Sequence, residues 1–128
     1  DRPKIARVIY NRLFLGMALQ IDASLYYGQD GSLPFSELKK IDTPYNTYLH
    51  KGLPPTPIAN PGRASIQAAL NPAANPSLGD PLCAPIPRDK PCLYLFYVIA
   101  DQDGRHAFAA TIEQHEANIA KAKELGLL

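Results

Sequence analysis

Apolar positions recur at helical spacing near both ends of the chain and in one interior stretch, and they alternate or cluster in the segments between. Ile5, Val8, Ile9 and Leu13 predict a helix from Asp1 to Leu15, with Asp1 as cap, Pro3 in the first turn and Gly16 as terminator. Arg2, Lys4, Arg7 and Arg12 fall on or near its other side and read as a solvated face. From Met17 to Leu25, Leu19 and Ile21 alternate with Gln20 and Asp22, the pattern of a short extended segment that sets amide and carboxylate on one surface. Phe35 to Ile41 reads as a short helix. Asn60-Pro61-Gly62 predicts a helix start, with Asn60 as N-cap and Pro61 in the first helical position, and the helix runs to Leu70 before Asn71-Pro72. Leu93 to Ala100 is rich in aromatic and β-branched residues and predicts a buried strand, which Asp101-Gln102-Asp103-Gly104 turns into a second strand, His106 to Ala110. Thr111-Ile112-Glu113-Gln114 is a capping box, opening a helix to Leu125. The expected fold class is α+β: a small antiparallel sheet with a β-hairpin, three main helices and long proline-rich ordered loops, in one domain over residues 1–128.

The loops are where composition matters. All but Pro3 and Pro34 of the 13 prolines fall between Pro44 and Pro91. The 44–62 stretch cannot be helix or central strand, because proline fixes φ and lacks the N–H donor. Tyr45, Asn46, Thr47, Tyr48 and Asn60 stand among these prolines, so a stiff backbone carries ring faces and hydrogen-bonding groups suited to a polyhydroxylated ligand.

Net charge is +1, with none of the basic excess of nucleic-acid binders, so no nucleic-acid partner is expected. No apolar run reaches the ~18 residues that span a bilayer, and no signal peptide opens the chain. The chain reads as soluble and, starting at Asp1 without an initiator methionine, as a fragment of a longer protein. None of the serines lies in a G-x-S-x-G context, and His50, His106 and His115 lack metal-ligand spacing, so neither a nucleophile triad nor a metal or cofactor is expected. His106 reads as a strand residue bonding its neighbours, and His115 as solvated. Of the carboxylates, Asp22 beside Gln20 is the best candidate for ligand contact; Asp101, Asp103, Glu113, Glu116 and Glu124 fall in a turn or on a polar helix face.

Tyr45-Asn46-Thr47-Tyr48, Gly52-Leu53-Pro54-Pro55 and Ile58-Ala59-Asn60-Pro61-Gly62 resemble the central motif of the YceG-like family, the endolytic murein transglycosylases. The likeness extends through Tyr10-Asn11-Arg12-Leu13, Leu19-Gln20-Ile21-Asp22, Tyr94-Leu95-Phe96-Tyr97-Val98 and His106-Ala107-Phe108 to the final helix. It implies an enzyme anchored to the cell membrane and facing the wall, which cleaves peptidoglycan glycan strands to 1,6-anhydromuramyl ends and so terminates nascent strands. It implies proteins of cell-wall synthesis as further partners. The family's acid/base is a glutamate on the helix before the one that begins here, so by resemblance the catalytic glutamate lies upstream of Asp1 and the membrane anchor in the missing N-terminal part. Gln20, Asp22, Tyr45, Asn46, Tyr48 and Asn60 are then the expected substrate-binding residues. In an exported protein, Cys83 and Cys92 are expected to close a loop of about ten residues as a disulfide; two free thiols are the alternative. Two other functions compete: a non-catalytic peptidoglycan-binding module, and an interaction module presenting the P-x-x-P pattern of Leu53-Pro54-Pro55-Thr56-Pro57.

Overall fold

The computed structural model describes all residues from Asp1 to Leu128. Five α-helices and two strands follow in the order α1 (Arg2–Leu15), α2 (Asp22–Tyr26), α3 (Phe35–Leu38), α4 (Arg63–Leu70), β1 (Phe96–Ile99), β2 (His106–Ala109) and α5 (Ile112–Glu124). A 3-10 turn, Pro81–Cys83, interrupts the second proline-rich loop. The class is α+β, as the pattern predicts. The chain divides into two compact units, one formed by residues 1–11 and 63–128, the other by residues 12–62.

In the first unit, β1 and β2 pair antiparallel in the register Phe96↔Ala109 to Ile99↔His106. The turn is organised by Asp101: Oδ1 accepts from the N–H groups of Asp103 at 2.9 Å and Arg105 at 3.1 Å, while Oδ2 accepts from Arg105 Nε at 2.6 Å. Gly104 takes a φ of 84°, a left-handed conformation that costs a residue with a Cβ more. Helix α5 packs on this hairpin. Ala109 and Ala122 are fully buried, and their small side chains let helix and sheet come close. The capping box forms as the sequence predicts: Thr111 Oγ1 accepts from Gln114 N, and Gln114 Oε1 accepts from the N–H groups of Thr111 and Ala110. His115, expected to be solvated, stacks on Phe96 with ring centroids 4.9 Å apart. The main-chain N–H of His106 donates to Asp1 Oδ2 at 2.6 Å.

The polar side of α1 is not simply solvated. Arg7 Nε donates to Ala73 O at 2.5 Å, and the Lys4 ammonium lies 5.4 Å from the Tyr94 ring and 5.5 Å from Phe108. Asn11, buried, donates through Nδ2 to Asn75 Oδ1 at 2.7 Å and Tyr94 O at 2.9 Å, which fixes the loop after α4 to the approach of β1. In the second unit, Arg12 is 7 % exposed and its guanidinium donates to the carbonyls of Ala18 and Leu19. Only Arg2 of the four cations fits the expected solvated face without such a contact.

Other boundaries differ from expectation: α3 ends at Leu38 rather than Ile41, and β1 starts at Phe96 rather than Leu93 and is half-buried. Helix α4 begins at Arg63, so Pro61 is not its first residue and Asn60 lies too far upstream to cap it. The segment expected to be extended over Met17–Leu25 forms no strand: Gln20 takes a left-handed φ of 52°, and α2 starts at Asp22. Ser24 turns the chain there, since both its N–H, at 3.1 Å, and its Oγ, at 2.7 Å, donate to Ile21 O.

Cys83 and Cys92 are bonded to each other. With Ala110 they form a small buried cluster against which Ile86 packs, and Gln114 Nε2 donates to Leu82 O at 3.0 Å beside it. Closing so short a loop removes unfolded-state entropy worth roughly 2 to 3 kcal/mol. Replacing both cysteines with serine should therefore lower stability by about that much in urea unfolding; a loss under ~0.5 kcal/mol would mean the proline-rich loop is held by its other contacts.

Candidate functional site

The residues singled out on the 44–62 loop and the Gln20–Asp22 segment all lie in the second unit, and the Tyr45-Asn46-Thr47-Tyr48 turn is its centre. Two of its residues face inward. Asn46, 1 % exposed, donates through Nδ2 to Lys39 O at 3.0 Å and Ile41 O at 2.9 Å, while its Oδ1 accepts from Tyr48 N at 2.9 Å and Leu49 N at 3.2 Å. All four hydrogen-bonding positions of the amide face inward, so Asn46 braces the turn and presents no group to a ligand. Thr47, 2 % exposed, joins the turn to the preceding segment: its Oγ1 accepts from Ile21 N at 2.8 Å and shares a hydrogen bond with Ser24 Oγ at 2.8 Å.

The same junction constrains Gln20, whose φ of 52° is the one left-handed value at a residue other than glycine. Such a conformation costs about 1 to 3 kcal/mol and persists where its surroundings fix it. Here the Gln20 N–H donates to Thr47 O at 3.1 Å, and the twist directs the next N–H to Thr47 Oγ1. The side chain of Gln20 is left exposed.

The two tyrosines flank this braced turn. Tyr48 donates its hydroxyl to Asp22 Oδ1, so the loop and the only carboxylate of the expected set are bonded directly. Phe35 meets the Tyr48 ring edge-on at 6.2 Å between centroids, and the Lys39 ammonium lies 4.8 Å from the Tyr48 centroid and 5.7 Å from that of Phe35. Tyr45 packs against Tyr27 at 4.6 Å, and its hydroxyl shares a hydrogen bond with Thr56 Oγ1 at 2.7 Å, which holds the Pro54–Pro57 stretch to the turn. Beyond the turn, His50 Nε2 and Asp42 Oδ1, 2.5 Å apart, clasp its two flanks.

Gln20, Asp22, Tyr45 and Tyr48 are thus brought together around an inner core of Asn46, Thr47 and Ser24. Asn60 is exposed and no hydrogen bond ties it to the others. Thr47, read with the ligand-suited groups of the motif, turns inward instead, and Ser24, Tyr27, Phe35 and Lys39 were not among the expected residues. Their roles depend on pairings across 7 to 26 positions of sequence, which local pattern does not carry. Chemically the surface offers one carboxylate held by a phenol, an exposed amide, aromatic faces and an ammonium. It contains no cluster able to hold a metal ion.

The family model of the YceG-like family matches residues 1–121. The endolytic murein transglycosylase of Bacillus subtilis (strain 168) is 37% identical over 126 residues, an alignment that covers 97% of this chain and 29% of the relative. That of Streptococcus pneumoniae serotype 2 is 31% identical over 129 residues, covering 94% and 20%. A crystal structure of a YceG-like protein from Listeria monocytogenes superposes with a TM-score of 0.71 at 36% identity, over 91% of this chain and 33% of that one. The chain spans less than a third of the length of these curated relatives. Because the match runs through the Tyr-Asn-Thr-Tyr turn, the disulfide unit and most of α5, the chain belongs to the YceG-like family.

Proposed function

We propose that these residues form the glycan-binding and supporting part of a lytic transglycosylase that cleaves peptidoglycan strands endolytically, outside the cell membrane. The observation that carries this reading is the Tyr48–Asp22 bond on a braced, aromatic-flanked turn, in a chain whose relatives bear the name endolytic murein transglycosylase. Lytic transglycosylation needs one carboxyl group. It protonates the glycosidic oxygen as the C1–O bond breaks, then accepts the proton of the muramyl C6 hydroxyl as that oxygen bonds C1, giving a 1,6-anhydro ring. The nucleophile is tethered to its own sugar, so neither a positioned water nor a second carboxylate is required, unlike ordinary glycoside hydrolysis.

Asp22 has the wrong setting for the proton donor. It is exposed and its Oδ1 already accepts from Tyr48, whereas a general acid working near neutral pH wants an apolar pocket that favours the protonated form. In this reading Asp22 and Gln20 bind sugar hydroxyl and acetamido groups, Tyr45 and Tyr48 offer ring faces, and a glutamate outside these 128 residues is the acid/base. The P-x-x-P reading is less favoured, because Thr56 inside that pattern is bonded to Tyr45.

The 128-residue chain should bind chitooligosaccharide, with NMR shifts at Gln20, Asp22 and Tyr48, yet release no anhydromuropeptides from peptidoglycan. A longer protein that includes the preceding helix should release them, as read by mass spectrometry, and lose all activity when its glutamate is changed to glutamine. Anhydro products from the 128 residues alone, lost on Asp22→Asn, would move the catalytic acid to Asp22. Glycan binding without cleavage by the longer protein would make the chain a wall-binding module.

A further inference from the structure

An open pocket of about 550 Å³, within the range of small-ligand sites, lies against the disulfide loop, and the glycan-binding reading leaves it unused. Leu78, Gly79, Cys83, Ala84, Ile86, Pro87 and Cys92 line it with apolar and main-chain surface, and Arg88 and Lys90 are the charged groups among the lining residues. No carboxylate lines the cavity, and neither cation forms an ion pair within the chain. Of the acids near it in sequence, Asp80 is occupied locally, its Oδ1 accepting from Leu82 N at 2.9 Å, and Asp89, which stands between the two cations, pairs with neither.

The loop side of the pocket is also restrained, although Leu78 is exposed. Three prolines at 85, 87 and 91 restrict the loop backbone, the disulfide closes it, and the turns are bonded from Cys83 N to Asp80 O, Ile86 N to Cys83 O and Lys90 N to Pro87 O, at 2.9 to 3.0 Å. Ile86 is packed against the cystine and Ala110. A cavity so held loses little conformational entropy when it binds, which favours a small ligand of modest contact area. An apolar floor beside two unpaired cations suits an anion with small apolar substituents, and a peptide's terminal carboxylate is the common group of that description.

We propose that this cavity is a binding site for the C-terminal carboxylate of a short peptide, namely the stem peptide carried by peptidoglycan. In it Arg88 and Lys90 hold the carboxylate while small side chains rest on Leu78, Ile86 and the cystine. The choice of a wall stem as the source rests on the glycan-strand reading above; the carboxylate site itself does not.

The test is an NMR titration of the full 128-residue chain with N-acetyl-alanyl-alanine, in D,D and L,L forms, each as free acid and as C-terminal amide. The D,D acid should shift the amide signals of Leu78, Cys83, Ile86 and Arg88 saturably, bind at least tenfold more tightly than its amide, and bind more tightly than the L,L acid. Arg88→Gln with Lys90→Gln should weaken it at least tenfold while the signals of Ala109, Ala110 and α5 stay in place, showing the unit folded. No saturable shift, or equal binding of acid and amide, overturns the carboxylate site. Equal or tighter binding of the L,L acid overturns the stem assignment in favour of a protein C-terminus. Chitooligosaccharide shifts at Gln20, Asp22 and Tyr48 are read in the same sample, so failure here and failure of the glycan reading are separate results.

Discussion

Replacing Asn46 with alanine should destabilise the second unit by about 3 to 5 kcal/mol, the largest stability effect expected of any single substitution near the site. The amide satisfies four main-chain groups at once: the carbonyls of Lys39 and Ile41, and the N–H groups of Tyr48 and Leu49. A buried polar group left without a partner costs about 1 to 3 kcal/mol, and rehydration of part of the turn keeps the sum below four full penalties. Asn46→Asp separates the two halves of the interaction. It keeps the acceptor for Tyr48 and Leu49 but turns a second oxygen toward two carbonyl oxygens, so it should be no better than alanine. Urea unfolding gives the size, and hydrogen exchange at Tyr48 and Leu49 shows whether the turn opens locally. A loss under ~1 kcal/mol for Asn46→Ala would mean the turn holds without its amide brace.

That brace shows what sequence could and could not convey. The proline-rich stretch was legible as loop because proline's fixed φ and missing donor act at the residue itself. The Thr111–Gln114 capping box and the Asp101–Gly104 turn were legible for the same reason, as their partners lie within four residues. Cys83 and Cys92 were legible as a pair through their short separation and the exported setting that the resemblance implied. Asn46 was read as a groove residue because an amide beside tyrosines suits a sugar, and nothing local says that Lys39 and Ile41 present carbonyls to it. The α1 cations were read as solvated because their acceptors, Ala73 for Arg7 and Ala18 for Arg12, are carbonyls with no signature of their own. Alternation at Leu19–Asp22 failed as a strand signal because Gln20 is twisted into the left-handed region by Thr47. Period-two patterns assume a uniform extended backbone, and one such residue breaks it.

Asp22→Asn, made in a longer protein that is active, should lower kcat/KM by about 10- to 100-fold, and Tyr48→Phe by a smaller factor. A hydrogen bond from a substrate hydroxyl to a carboxylate contributes about 1.5 to 3 kcal/mol, which converts to that range. The phenol is expected to act one step removed, because it bonds the carboxylate oxygen and not the sugar. Losing it frees Asp22 to turn but leaves its charge, so the cost is alignment rather than the contact itself. The double variant decides between this arrangement and independent contacts. If Tyr48 works through Asp22, then once the carboxylate has become an amide the phenol has little left to orient, and the double variant should be no more than about threefold worse than Asp22→Asn alone. A product of the two single effects would mean that the Tyr48 hydroxyl touches the substrate itself. Unchanged kcat/KM for Asp22→Asn, with only a drop in stability, would confine both residues to pinning the loop and leave glycan contact to Gln20 and Tyr45. Measuring urea midpoints beside the kinetics separates these outcomes, because a pinning role lowers stability at constant activity and an orienting role lowers activity at constant stability.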